Sequence, residues 1–197
     1  MDKKSDKKSK KGLYIGIGAG IVVAAIVAVL LIVLLPKGNE ASNNGSTIAE
    51  IKGNCHVLEC IEKLDVNGTL EDAEKVMGFE GELKNESTES YEWVINDAET
   101  IRIAFKAKTI TAYNYDDEVL ANSSVDFSGY SDLKKSVSSG ITYDDFVKAV
   151  GGVEGTLIEK SSITNKYTWV AGDGKSYLNA SFNINSHKCT FMSGMIY

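Results

Sequence analysis

The sequence predicts an α+β protein: an N-terminal transmembrane helix followed by two tandem units, each made of two helices and an antiparallel sheet. Three observations lead there. One is an uncharged apolar run near the N-terminus. Another is a sentence of about forty residues written twice in the remainder of the chain. The last is an alternation of apolar and polar residues within the segments after each helix pair.

The first eleven residues carry six lysines and two aspartates, so residues 1–12 read as a solvated basic head. Leu13 to Leu35, LYIGIGAGIVVAAIVAVLLIVLL, contains no charge. At ~1.5 Å rise per residue such a run gives about 35 Å of helix, enough for a hydrocarbon core of ~30 Å. A cleaved signal peptide has a shorter apolar region ending at a small-x-small site, whereas this run ends in Leu34, Leu35 and Pro36. The expectation is an uncleaved signal anchor in the cell membrane. Lysines precede the span and only Lys37 directly follows it, which places the N-terminus in the cytoplasm and the rest outside. Gly12, Gly16 and Gly20, continued by Ala24 and Ala28, form a small-residue stripe. It is the surface through which two spans could approach as a homodimer.

Residues 36–47, PKGNEASNNGST, lack the apolar mass to pack and read as a flexible tether. Removing the head's six lysines and two aspartates from the totals of 21 basic and 27 acidic residues leaves 15 against 25, a net charge of −10. A domain this acidic, with Arg102 as its single arginine, excludes nucleic acid as a partner.

A repeat organises the rest of the chain. TLEDAEKVMGF (Thr69–Phe79) is echoed by TYDDFVKAVGG (Thr142–Gly152), and the echo runs on through paired residues: Gly81 with Gly155, Tyr91 with Tyr167, Trp93 with Trp169, Asp97 with Asp173, Phe105 with Phe182. The first unit is expected over 48–126 and the second over 127–197. In the first, CHVLECIEKL and TLEDAEKVMG read as helices, and ELKNES, SYEWVIN, TIRIAFK and TITAYNY as strands. Ile101, Ile103 and Phe105 alternate with Arg102, Ala104 and Lys106, the mark of a half-buried strand. Thr69 and Thr142 each stand three residues before an aspartate, a capping-box pattern at a helix start. That pattern gives Asp144 and Asp145 an architectural reading in place of a catalytic pair, because adjacent helix positions point about 100° apart.

If helices cover one face of each small sheet, the other is left to water. Tyr113 and Tyr115 in the first unit, and Tyr177 and Asn179 in the second, then line an open face of the kind that binds proteins. Asp116-Asp117-Glu118 lacks the spacing of a calcium loop and reads as a solvated connection. His56 and His187 stand in no metal-binding spacing, and no phosphate-binding glycine motif falls outside the span, so neither a cofactor nor catalysis is expected. Cys55, Cys60 and Cys189 permit one intramolecular bridge. Cys55–Cys60 requires the helix to begin after Cys55, Cys60–Cys189 would tie the two units together, and free thiols are the remaining option.

The helix pair, the Gly-Gly turn at Gly151-Gly152, the strand Tyr167-Thr168-Trp169, the turn Asp173-Gly174 and the strand ending in Phe182 resemble the tandem repeat of β-lactamase inhibitory protein-like domains. The unit is also similar to outer-membrane assembly lipoproteins of the SmpA/OmlA (BamE) type and to envelope lipoproteins of Gram-positive bacteria. The resemblance is best over Leu133 to Phe182 and implies a structural signature of Thr69, Thr142, Trp93, Trp169, Phe105 and Phe182. It implies paired sheets that grip a partner, here another envelope or extracellular protein, from a chain held in the lipid bilayer. The alternative reading is a scaffold of an envelope complex with a self-associating anchor.

Overall fold

The computed structural model describes residues 51–113, 115 and 120–197. The basic head, the span with Gly12, Gly16 and Gly20, the tether and the acidic run Asp116–Glu118 lie outside the described residues. Among those described, no helix is long and apolar enough to cross a membrane.

Among the described residues, four helices of seven to nine residues, α1 (Val57–Lys63), α2 (Leu70–Met77), α3 (Tyr130–Ser138) and α4 (Tyr143–Ala149), accompany nine strands. The strands are β1 (Glu82–Asn85), β2 (Ser90–Asn96), β3 (Glu99–Ala104), β4 (Thr109–Tyr113), β5 (Ala121–Asn122), β6 (Thr156–Ser161), β7 (Thr164–Ala171), β8 (Tyr177–Asn183) and β9 (Cys189–Met195). They join in one sheet of order β1-β2-β3-β4-β6-β7-β8-β9, with the short β5 added in parallel to β7.

This corrects the fold class expected from the sequence. The described chain is mainly one antiparallel nine-stranded sheet with few, short helices, not an α+β pair of separate helix-helix-sheet units. The physical reason lies at β4 and β6, where Thr109, Ile110 and Thr111 pair antiparallel with Ser161, Lys160 and Glu159. Two separate sheets would each expose an edge of unpaired backbone groups at this point, and pairing them satisfies both. β5 adds a second link from the early part of the chain, its Ala121 opposite Val170.

Burial follows the alternation of the strands. Trp93, Ile95, Ile101, Ile103, Ile110 and Ala112 close over Val57, Cys60, Ile61, Ala73 and Met77 in a first core. Phe146, Val150, Trp169, Leu178, Ala180 and Phe182 form a second with Val125, Phe127 and Leu133. Helix α1 packs across β3, β4 and β6, and so bridges the junction between strands of the two halves.

Each tryptophan is fixed the same way. The Trp93 indole N–H donates to the Phe79 carbonyl at 3.0 Å and that of Trp169 to the Val153 carbonyl at 2.8 Å. Gly81 and Gly155 lie against the indoles so closely that a Cβ would sit 2.5 Å from Trp93 Cζ2 and 2.6 Å from Trp169 Cζ2. Both glycines are therefore required by close approach. Cys55 and Cys60 are bridged, with Cα atoms 5.5 Å apart, because α1 begins at Val57 and Cys55 lies in the bend before it. Cys189 is a buried free thiol.

Candidate functional site

The strand registers carry a row of side chains across the face opposite the helices. Glu82, Glu92, Arg102, Thr111, Glu159, Lys166, Ser181 and Phe191 are successive cross-strand neighbours from β1 to β9. At the β1 end the row is ionic. Arg102 Nη2 donates to Glu92 Oε2 at 2.6 Å and its Nε to the same oxygen at 3.2 Å, while Lys84 Nζ stands 2.7 Å from Glu82. At the β9 end it is apolar.

Around this row the face exposes large apolar groups: Val94 at 50%, Tyr113 at 39%, Phe191 at 56% and Met195 at 46% of their full surface. Tyr113 lies opposite Thr100, and the Arg102 guanidinium sits 5.1 Å from the centre of its ring, a cation–π contact that holds the ring against the sheet. Tyr177 is half-buried between Val170 and Met195. Asn179 is half-buried between Thr168 and Ser193, its Oδ1 shielded from solvent without a donor among the described residues. Tyr115 stands beyond the end of β4 and packs against the first core. The structure thus brings Tyr177 and Asn179 together two residues apart on β8 and sets Tyr113 on β4 of the same face. Tyr115 is placed elsewhere.

The helix side holds a cleft of about 580 Å³. Thr142, Tyr143 and Asp144 from the start of α4 form one wall, Asn165 and Tyr167 of β7 the floor, and Phe182, Ile184 and His187 the other wall. A second hollow shares Asn165 and Ile184 and reaches Leu64, Asp65 and Lys160. Burial pushes the phenols of Tyr143 and Tyr167 up, so both stay neutral. The Tyr143 hydroxyl donates to Glu154 Oε2 at 2.7 Å and accepts from the Gly155 N–H at 3.2 Å. Burial pulls the Lys160 ammonium down, and its Nζ donates to the Glu62 carbonyl of α1.

Asp144 and Asp145 part company here. Lys148 Nζ at 3.1 Å and the Thr142 hydroxyl at 2.9 Å both donate to Asp145 and hold its carboxyl below the ordinary value, whereas Asp144 is exposed at the mouth of the cleft.

No family model, no curated protein and no solved structure matches this chain. The resemblance carried by the repeated motif accordingly rests on its own residues.

Sequence reasoning missed Val94, Phe191 and Met195 on the sheet face, and the cleft altogether. The signal for β9 was present in TFMSGMIY, where Phe191 and Met195 alternate with Met192 and Gly194. The cleft had no such signal, since its walls come from the start of α4, from β7 and from the end of β8 with the turn after it, which meet through the β7–β8 register and the bond from the Tyr143 N–H to the His187 carbonyl.

Proposed function

We propose that this chain is a membrane-anchored, extracellular protein-binding module of the bacterial cell envelope, and that it binds through the helix-free face of its sheet. The observation that carries the reading is the set of exposed apolar side chains on that face, Val94 and Tyr113 beside the Glu92–Arg102 ion pair and Phe191 and Met195 on the edge strand β9. Exposed aromatic and aliphatic anchors set among polar side chains are features of a protein interface. The uncharged run Leu13–Leu35 supports attachment to the membrane, and the excess of acidic residues beyond it argues against a nucleic-acid partner.

Proximity labelling from the C-terminal domain in the native cell supplies the partner, and a double variant then tests the face. Tyr113→Ala with Tyr177→Ala is expected to reduce capture of that partner at least tenfold, equivalent to about 1.4 kcal/mol, while the melting temperature shifts by only a few degrees. Undiminished capture by a folded double variant would remove the sheet face from the interface.

A further inference from the structure

The two ends of the sheet are built differently. β1 is four residues long, fully exposed, and carries Glu82 and Lys84. A short charged edge is how proteins discourage a further strand from adding. β9 is seven residues long, and from Thr190 to Tyr197 the sequence TFMSGMIY has neither charge nor proline. Among the described residues, α3 packs against β9, and backbone bonds to its outer side reach only its start: the Cys189 N–H donates to the Ile141 carbonyl at 2.8 Å and Thr142 bridges Lys188. Beyond that point every residue but Met192 is exposed, and no strand among those described pairs with the outer side of β9. A long uncharged edge is a template for another strand.

We propose that β9 pairs antiparallel with β9 of a second copy of this chain, about a two-fold axis at Ser193, so that one sheet runs through the dimer. The strand is self-complementary in that register. Phe191 falls opposite Met195 of the other copy, twice over, on the face where both are exposed; an aromatic ring against a thioether at directly opposed positions is a favourable cross-strand pair. On the other face Met192 falls opposite Gly194, so the larger side chain meets the position with none. No charged residue enters the paired stretch, so the domain's acidic charge is kept out of the contact.

Neighbouring registers fit less well. An axis at Met192 sets Phe191 against Ser193. An axis at Gly194 draws on Ile196 and Tyr197, which lie past the end of β9, with the Tyr197 N–H already donating to Ser176 Oγ at 3.1 Å. Identical edges that pair this way close at two copies and leave no free β9 behind. This inference does not depend on the sheet face being a binding site; it would join two such faces at their β9 margins, where Phe191 and Met195 meet.

The test uses the full chain in detergent micelles under mild oxidation. Cys189→Ser with Ser193→Cys is expected to run mostly at twice the chain mass on a non-reducing gel, while Cys189→Ser with Lys84→Cys, placed on β1, stays at single mass. Adding Phe191→Lys is expected to cut the Ser193→Cys cross-link at least tenfold. Three results would overturn the proposal: a Ser193→Cys chain that stays monomeric or cross-links no better than Lys84→Cys, an adduct with a different protein, or a cross-link that survives Phe191→Lys but vanishes with Gly16→Leu/Gly20→Leu.

Discussion

Thr69 and Thr142 begin their helices with the same chemistry but unequal completeness. At α2 the box is closed: the Asp72 N–H donates to Thr69 Oγ1 at 3.2 Å, and the Thr69 N–H donates to Asp72 Oδ2 at 3.1 Å. At α4 the Asp145 N–H donates to Thr142 Oγ1 at 3.3 Å, and the chain before the helix is held instead by backbone bonds from Tyr143 to His187 and from Cys189 to Ile141. Thr69→Ala is therefore expected to cost about 1 kcal/mol and Thr142→Ala less, read from denaturant midpoints. The Thr69 hydroxyl and N–H hold the Asp72 carboxyl below its ordinary value of 3.8. Its contribution is thus present above the unfolded carboxyl's pKa and lost as pH falls through the lower folded value. The gap between wild type and Thr69→Ala should narrow only in that acid range; a gap independent of pH would separate Asp72 from the cap. These caps were legible because a Thr with an Asp three residues on is a local signal. The placement of Gly81 and Gly155 under the indoles was legible only as a coincidence of spacing until the Trp93 and Trp169 rings were seen against them.

At the scale of elements, the disulfide and α1 act together. The Cys55–Cys60 bridge joins cysteines five residues apart across the start of a seven-residue helix, which is too short to be stable on its own. The chain-entropy relation for so short a loop gives about 2 kcal/mol, at the lower end for native bridges. Reduction is expected to lower stability by about that amount, and Cys55→Ser with Cys60→Ser to match it; a reduced chain with an unchanged denaturant midpoint would show that α1 is held by packing alone. From sequence, the choice was open among this bridge, Cys60–Cys189 and free thiols. The choice turned on where α1 starts, and the boundary at Val57 is set by tertiary packing of Val57, Cys60 and Ile61 into the first core. Strand alternation was more legible: Leu178, Ala180 and Phe182 are buried and Tyr177, Asn179 and Ser181 half-buried, as their period of two requires. Tyr115 was misplaced because that period holds only while the strand lasts, and β4 ends at Tyr113.

For the whole molecule, the decisive contact is one that a repeat conceals. Reading two similar sentences encourages two self-contained units, yet the pairing of Thr109–Thr111 with Glu159–Ser161 joins segments far apart in sequence and has no local signature. Its consequence is mechanical. The sheet is continuous, α1 lies over strands on both sides of the junction, and Lys160 of β6 donates to the Glu62 carbonyl of α1. Opening either core alone would strip β4 or β6 of its neighbour and leave buried backbone groups unpaired, at about 1–3 kcal/mol for each group. The two cores are therefore expected to unfold together. Ile61→Ala in the first core and Leu178→Ala in the second each remove a fully buried side chain and should each cost about 2–5 kcal/mol. Calorimetry of the full chain should show a single transition for the described domain, moved down as a whole by either substitution. The fluorescence of Trp93 and Trp169, one in each core, should fall along the same curve. If Ile61→Ala shifted the signal of Trp93 while that of Trp169, isolated by Trp93→Phe, kept its midpoint, the junction would not couple the cores and the continuous sheet would behave as two.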